Sequence, residues 1–228
     1  MNYLESKRLI LASGSPRRRD LLGLLGVQFD VIVSDVDESL VTVADPAVNA
    51  LETARLKAEA VAELFRPKSP TPPTVILGSD TNVALGNLIL GKPRDAQDAR
   101  ETLQLLRGKV HQVHTGVVLI DVNSAETRQF VSTSDVYMRA YSDESISEYI
   151  ETGDPMDKAG AYAIQHPVFR PVERYEGCYA GIMGLPICQL VQSLQSLGVQ
   201  VSKAMATDCP NGHCYQQWRY DPWFERVV

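Results

Sequence analysis

Residues 8–19 read Arg-Leu-Ile-Leu-Ala-Ser-Gly-Ser-Pro-Arg-Arg-Arg. The apolar run from Arg8 to Ala12 has the length of a strand. It gives way at Ser13-Gly14-Ser15 to a helix with Pro16 at its first position, where a fixed φ and a missing N–H cost nothing. Ser15 is placed to cap that helix, Leu21, Leu22, Leu24 and Leu25 supply its buried stripe, and Gly26 ends it. A strand that hands over to a helix through small residues opens an α/β fold. It also leaves unpaired N–H groups where a phosphate can approach, with Ser13, Ser15, Arg17 and Arg18 as candidate partners. No Gly-Lys-Ser/Thr follows, so this is not a Walker loop. A capped surface helix with solvated arginines is the competing reading of this stretch alone.

Working outward, Phe29 to Val33 reads as a second strand, and Asp45-Pro46 opens a long helix with Leu51, Ala54, Ala58, Val61 and Leu64 at helical spacing. The proline-rich run Arg66 to Pro73 stops it. Thr74 to Ser79 is a buried-strand candidate. Asn82 to Leu85 and Leu88 to Leu90 flank Gly86-Asn87 as a hairpin would. Asp95 caps a helix through Leu106, which Gly108 ends. Val110 to Val122 and Thr127 to Arg139 pair around Asn123-Ser124. A helix from Ser142 to Thr152, a strand from Ala161 to Gln165 and a helix from Pro186 to Leu197 follow. Strands and helices mix without a strict βαβ period, so the expected fold is α/β with a mixed twisted sheet flanked by helices. No repeat with a period of about 20 to 50 residues is present.

The chain has 228 residues, 44% of them hydrophobic, which suffices for a core. A net charge of -6 and a pI near 5.3 provide no field for a long polyanion, so a nucleic-acid polymer is not an expected partner. No apolar run approaches the ~20 residues of a membrane span. The apolar stretch Leu9 to Ala12 is short for a signal peptide, and the expected location is cytoplasmic. Four cysteines, Cys178, Cys188, Cys209 and Cys214, are expected as free thiols.

Gly78-Ser79-Asp80-Thr81 places a carboxylate at the expected end of an apolar strand, where it can hold a divalent cation or take a proton from water, or cap a turn. Lys92-Pro93 follows across the hairpin, close enough in sequence to aim an ammonium at the same place. Glu38, in an acidic loop, and Lys57, on the long helix, are weaker candidates, the first readable as a solvated loop and the second as an exposed helix face. His111 and His114 fall on opposite faces of a strand, which excludes joint metal binding. No grouping in the body has zinc spacing, and no serine has an evident base, so attack by water is the simplest chemistry.

Read together, Leu9-Ile10-Leu11-Ala12-Ser13-Gly14-Ser15-Pro16-Arg17-Arg18, Asp80-Thr81, Gly91-Lys92-Pro93, His111 with Thr115-Gly116, Asp157-Lys158-Ala159-Gly160-Ala161-Tyr162-Ala163-Ile164-Gln165 and Gly184-Leu185-Pro186 resemble, in this order, the Maf-like nucleoside-triphosphate pyrophosphatases. The resemblance implies an inosine-triphosphatase-like fold with two lobes around a cleft, and a homodimer. It implies hydrolysis between the α- and β-phosphates, with Asp80 as general base, Glu38 and Asp80 on a magnesium or manganese ion, and Ser13, Ser15, Arg17, Arg18, Lys57 and Lys92 on the phosphates. Arg17, Thr81 and Gln165 match the set of the branch acting on dTTP and UTP rather than on 7-methyl-GTP. The implied purpose is cleansing of the nucleotide pool. A non-catalytic nucleotide-binding inhibitor of septum formation is the alternative of a different class. Arg107, Asn82, Gly181 and the segment 166–179 depart from the family pattern.

The resemblance implies one catalytic domain over residues 1–200 and a separate tail over 201–228. That tail carries Cys209-Pro-Asn-Gly-His213-Cys214, which lacks a fourth ligand for a tetrahedral metal, and Trp218, Trp223 and Phe224, which are expected to pack on the body or on a second subunit.

Overall fold

The computed structural model describes residues 7–65 and 72–202; the cysteine and aromatic tail lies outside them. In chain order the elements are β1 (Arg8–Leu11), α1 (Pro16–Gly23), β2 (Phe29–Val31), α2 (Pro46–Glu63), β3 (Thr74–Leu85), β4 (Leu88–Leu90), α3 (Ala96–Leu106), β5 (Val110–Asp121), β6 (Thr127–Met138), α4 (Asp143–Glu151), β7 (Val172–Glu176), α5 (Tyr179–Ile182) and α6 (Ile187–Ser196). Short 3₁₀ turns stand at Glu38–Leu40, Asp154–Asp157 and Ala159–Ala161. The helix starts follow local chemistry: Asp45 accepts from the N–H groups of Ala47 and Val48, Asp95 from Asp98, and Ser142 from Ser145.

Among the described residues the strands form one seven-stranded sheet in the order β2-β1-β3-β5-β6-β7, with β4 paired to β3. Its β1 pairs parallel with β2 and β3, and the remaining pairs are antiparallel. This is the mixed sheet that the element order predicts. Helix α2 covers one face over Ile10, Ile76, Val118 and Ile120. On the other face α1 and α6 pack over Leu9, Leu11, Val75, Leu77, Val117 and Leu119 at one end of the sheet. Helices α3 and α4 pack over Val83, Val113, Val136 and Met138 at the other end. Those two cores are the two lobes.

Contact between α2 and the sheet is unusually close for a chemical reason. Ala50, Ala54 and Ala58, four residues apart, put a stripe of methyl groups on the buried side of α2. They lie over Gly78 of β3 and Gly116 of β5, where any Cβ would collide with the backbone of Ala54 or Ala50. Small residues on both sides let the helix backbone sit directly on the strands.

Two expectations are corrected, and one stretch without an expected element gains two. First, β3 does not stop at Ser79: β5 pairs with it from Val75↔Asp121 to Ala84↔Gln112, and this long-range ladder carries the polar stretch 78–82 as strand. Asp80 therefore lies in mid-strand and caps no turn. Second, residues 161–165 are not a strand. Gly160 and Ala161 have φ of 72° and 60°, and the chain continues as turns closed by the bonds Ala161 N–H to Lys158 and His166 N–H to Ala163. The segment after His166, for which the sequence reading gives no element, contains an edge strand, β7, which pairs with β6, and the short helix α5.

Candidate active site

The site lies where the sheet loses a partner. Strand β1 pairs with β3 only as far as Leu11↔Leu77, and β4 begins only at Val83↔Leu90. Between them, residues 78–82 are paired on the β5 side alone, and neighbouring side chains point to opposite faces of the sheet. Asp80 faces α2, and Thr81 faces α1. Both line one cavity of about 610 Å³ that opens through this gap.

On the α2 side, Lys57 Nζ donates to Asp80 Oδ1 at 2.7 Å and lies 2.9 Å from Glu38 Oε1. Lys57 is buried, not part of an exposed helix face, because the close approach of α2 brings its side chain onto β3. Glu38 is largely exposed, with 56% of its side chain accessible, on the loop that leads into α2. Asn82, two residues beyond Asp80 and on the same face, donates to the Pro46 carbonyl and to Asn49 Oδ1. Asn49 in turn donates to the carbonyls of Val41 and Val43 and so ties down the Glu38 loop.

On the α1 side, Arg18 is buried against the turn that follows α5. Its Nε donates to the Gly184 carbonyl at 3.0 Å, Nη1 to Ser13 Oγ at 3.1 Å and Nη2 to Thr81 Oγ1 at 3.2 Å. Three of its five N–H groups are thereby used. Burial draws its pKa below the ordinary value, Asp80 raises it, and Arg17 adds to the depression. The guanidinium keeps its charge throughout. Ser13 Oγ also accepts from the Ser15 N–H, so Ser13 supports Arg18 from behind the cavity wall. Ser15 lines the cavity, and its side chain makes no capping bond.

The protons in the next layer can be assigned. Thr115 Oγ1 donates to the Gly181 carbonyl at 2.8 Å, so in the 2.9 Å contact between Thr81 and Thr115 the proton comes from Thr81. Thr81 thus accepts from Arg18 and donates to Thr115.

The remaining candidates also line the cavity. Arg17 sits 3.9 Å from Asp157, Lys92 is exposed at the rim, and Gln165 is half-buried on the turn after Tyr162. Two residues of the 157–165 segment contribute that no spacing argument singled out. Lys158 is buried and bonded to the Asp154 carbonyl and to the carboxylates of Asp154 and Asp157, and Tyr162 is bonded to His111. His111 and His114 do face opposite ways, the second bonding Thr133.

As a donor set for a divalent ion, Glu38 and Asp80 are two carboxylates that already converge on one cation, the Lys57 ammonium. Among the described residues no group of three or more His, Cys, Asp or Glu side chains could hold a metal. Two carboxylates suit a hard cation whose shell is completed by phosphate oxygens and water. They do not make a closed protein cage.

A sequence model of a family described as Maf-like protein matches residues 8–197. The chain belongs to the Maf-like family. Every residue of the cavity wall falls inside the Maf-like match. A dTTP/UTP pyrophosphatase of Alkaliphilus metalliredigens is 46% identical over 188 residues, covering 82% of this chain and 95% of that protein. A second, of Lachnoclostridium phytofermentans, is 41% identical over 201 residues, covering 87% and 99%. Among solved structures, the Staphylococcus aureus Ham1 protein matches 59% of this Maf-like chain and 73% of its own at 16% identity, with a TM-score of 0.42.

Proposed function

We propose that this Maf-like protein hydrolyses dTTP and UTP to the nucleoside monophosphate and pyrophosphate. One observation carries the reading: the two carboxylates of Asp80 and Glu38 meet at Lys57 inside a cavity that is also lined by Arg17 and Arg18 of α1 and by Lys92. Carboxylates and cations around one cavity fit a reaction that takes a proton from water while negative charge builds on transferring phosphates. The names of the relatives at 46% and 41% identity support the substrate class.

In this reading a water attacks the α-phosphorus, and Asp80, in reach of the open side of β3, accepts its proton. Arg17, Lys92 and the remaining N–H groups of Arg18 hold the phosphates, together with Ser15 and the start of α1. Ser13 acts through Arg18. Lys57 neutralises charge beside Asp80. Glu38 and Asp80 would hold magnesium or manganese, which when bound supplies Lewis-acid stabilisation of the phosphate charge. Gln165 lines the cavity, and its amide, which offers both a donor and an acceptor, would read a pyrimidine edge. Thr81, with its proton committed to Thr115, contributes to selection through Arg18 and through its acceptor capacity. The catalytic unit comprises residues 1–200, in keeping with the 8–197 family match, and 201–228 are additional to it. The active form is a homodimer.

The test is release of pyrophosphate from a panel of nucleoside triphosphates with magnesium or manganese. Turnover is expected with dTTP and UTP and is expected to be lost in Asp80→Asn. A wild-type protein that releases none from any nucleotide would overturn the reading.

A further inference from the structure

The ammonium of Lys57 is engaged by the carboxylates of the cavity. It lies between Asp80 and Glu38, 2.7 Å and 2.9 Å from one oxygen of each, in a side chain only 10% accessible. A magnesium ion bridging those oxygens would need ~2.0 to 2.1 Å to each, which is the space that the ammonium fills. Bridging metal and Lys57 in this position are mutually exclusive. The three groups sum to one net negative charge, against two for the carboxylates alone. The neighbouring cations, Arg17, Arg18 and Lys92, add no negative charge that would favour a second cation.

We infer that Lys57 is an internal placeholder for the divalent cation, and that it must leave the two carboxylates before metal can bridge them. This rests on the proposed metal-assisted hydrolysis. Nucleotide phosphates provide the ammonium with a new partner on the same cavity, so metal and nucleotide enter together. Each strengthens the other by the same factor, as linkage requires. The nucleotide-free protein is thereby kept from binding metal tightly, and Lys57 acts as a positioning residue for the cation as well as a charge beside Asp80.

The experiment is a titration of nucleotide-free protein with Mn²⁺, read by the electron paramagnetic resonance of the free ion, with no turnover involved. Lys57→Met and Lys57→Gln, each checked for its fold by circular dichroism, are expected to bind Mn²⁺ at least tenfold more tightly than wild type. Adding Glu38→Gln to either variant is expected to abolish the gain, and Lys92→Met alone is expected to produce none. The inference is overturned if neither Lys57 variant binds more tightly. It is equally overturned if the gain survives Glu38→Gln, or if Lys92→Met matches it through general loss of positive charge. A protein that shows the tightening but releases no pyrophosphate would retain the placeholder and lose the hydrolase reading. One that releases pyrophosphate without tightening would do the reverse.

Discussion

Asp80 on β3 and Gly116 on β5 face each other directly across the antiparallel ladder, on the side covered by α2. A Cβ at Gly116 would lie 2.5 Å from the Ala50 carbonyl oxygen and 2.6 Å from Leu51 Cα, both helix backbone that no rotamer change can clear. The missing side chain beside Asp80 is what lets α2 descend far enough for Lys57 to reach it. Gly116→Ala is expected to lift the helix, costing about 1 to 3 kcal/mol of stability as overpacking does. Urea unfolding checks the stability, and kcat/KM for UTP should fall at least tenfold as Lys57 is drawn away. Gly23→Ala, on α1 with nothing within 4 Å of its added Cβ, is the control expected to leave both unchanged or stability slightly higher. An unchanged Gly116→Ala protein would refute the argument.

The hydroxyls of Thr81 and Thr115 form a directed chain from Arg18 to the Gly181 carbonyl. Thr115 is fully buried, so Thr115→Val keeps the shape but leaves the Thr81 hydroxyl without its acceptor and the Gly181 carbonyl with the Gly184 N–H in place of two donors. Such losses cost about 1 to 3 kcal/mol. Freed from Thr115, the Thr81 proton can turn toward Arg18 and disturb its seat. The expected result is a drop of roughly tenfold in kcat/KM, about 1.4 kcal/mol of transition-state stabilisation. Thr115→Ser should restore most of it. Equal activity in Val and Ser variants would show that the hydroxyl direction is irrelevant.

What could be read in the residues alone was what local chemistry decides. Asp45, Asp95 and Ser142 cap their helices as their positions predict, and Gly26 and Gly108 end theirs with positive φ. The continuation of β3 through Gly78-Ser79-Asp80-Thr81-Asn82 was not legible, because those residues favour turns and only pairing with β5 overrides them. Lys57 looked like an exposed helix position because burial of an ammonium depends on partners distant in sequence, here Glu38 and Asp80. Ala50, Ala54 and Ala58 with Gly78 and Gly116 were the available sign of a close helix–sheet contact. The 161–165 segment misled because Ala161-Tyr162-Ala163-Ile164 has strand-like composition, while Gly160 before it takes a conformation that breaks extension.

Asn49 joins two parts of the site that no covalent constraint holds together. It accepts from Asn82 on β3 and donates to Val41 and Val43, and the Val41 N–H bonds back to the Glu38 carbonyl. Asn49→Ala is expected to loosen the Glu38 loop without touching Asp80. The metal concentration for half-maximal pyrophosphate release should then rise several-fold, while kcat at saturating metal stays within about twofold, a shift of about 1 kcal/mol in cation binding. Asn82→Ala should act in the same direction. The measurement is a magnesium titration at saturating UTP. A fall in melting temperature with an unmoved metal requirement would make the Asn pair a purely structural link.

His111 gives the fold a pH dependence of definite sign. It is 2% exposed on β5, its Nε2 is 2.7 Å from Tyr162 Oη, and its Nδ1 has no partner. Its ring stands at 82° to that of Tyr162 with 5.4 Å between centroids, and protonating both ring nitrogens would leave a buried N–H at Nδ1 with no acceptor. Burial pushes its pKa from 6.5 down to about 4. Between those values the unfolded chain binds a proton that the folded chain refuses, so stability falls as pH is lowered through this window and is fully present above it. The loss from this group should be about 2 kcal/mol at pH 5 and about 3 kcal/mol at pH 4. His111→Gln retains a partner for Tyr162 but does not titrate. The difference in unfolding free energy between the two proteins, followed from pH 7 to pH 4, should therefore move toward the variant by that amount. Parallel curves would mean that His111 is protonated in the folded protein at no cost, which its unpartnered Nδ1 argues against.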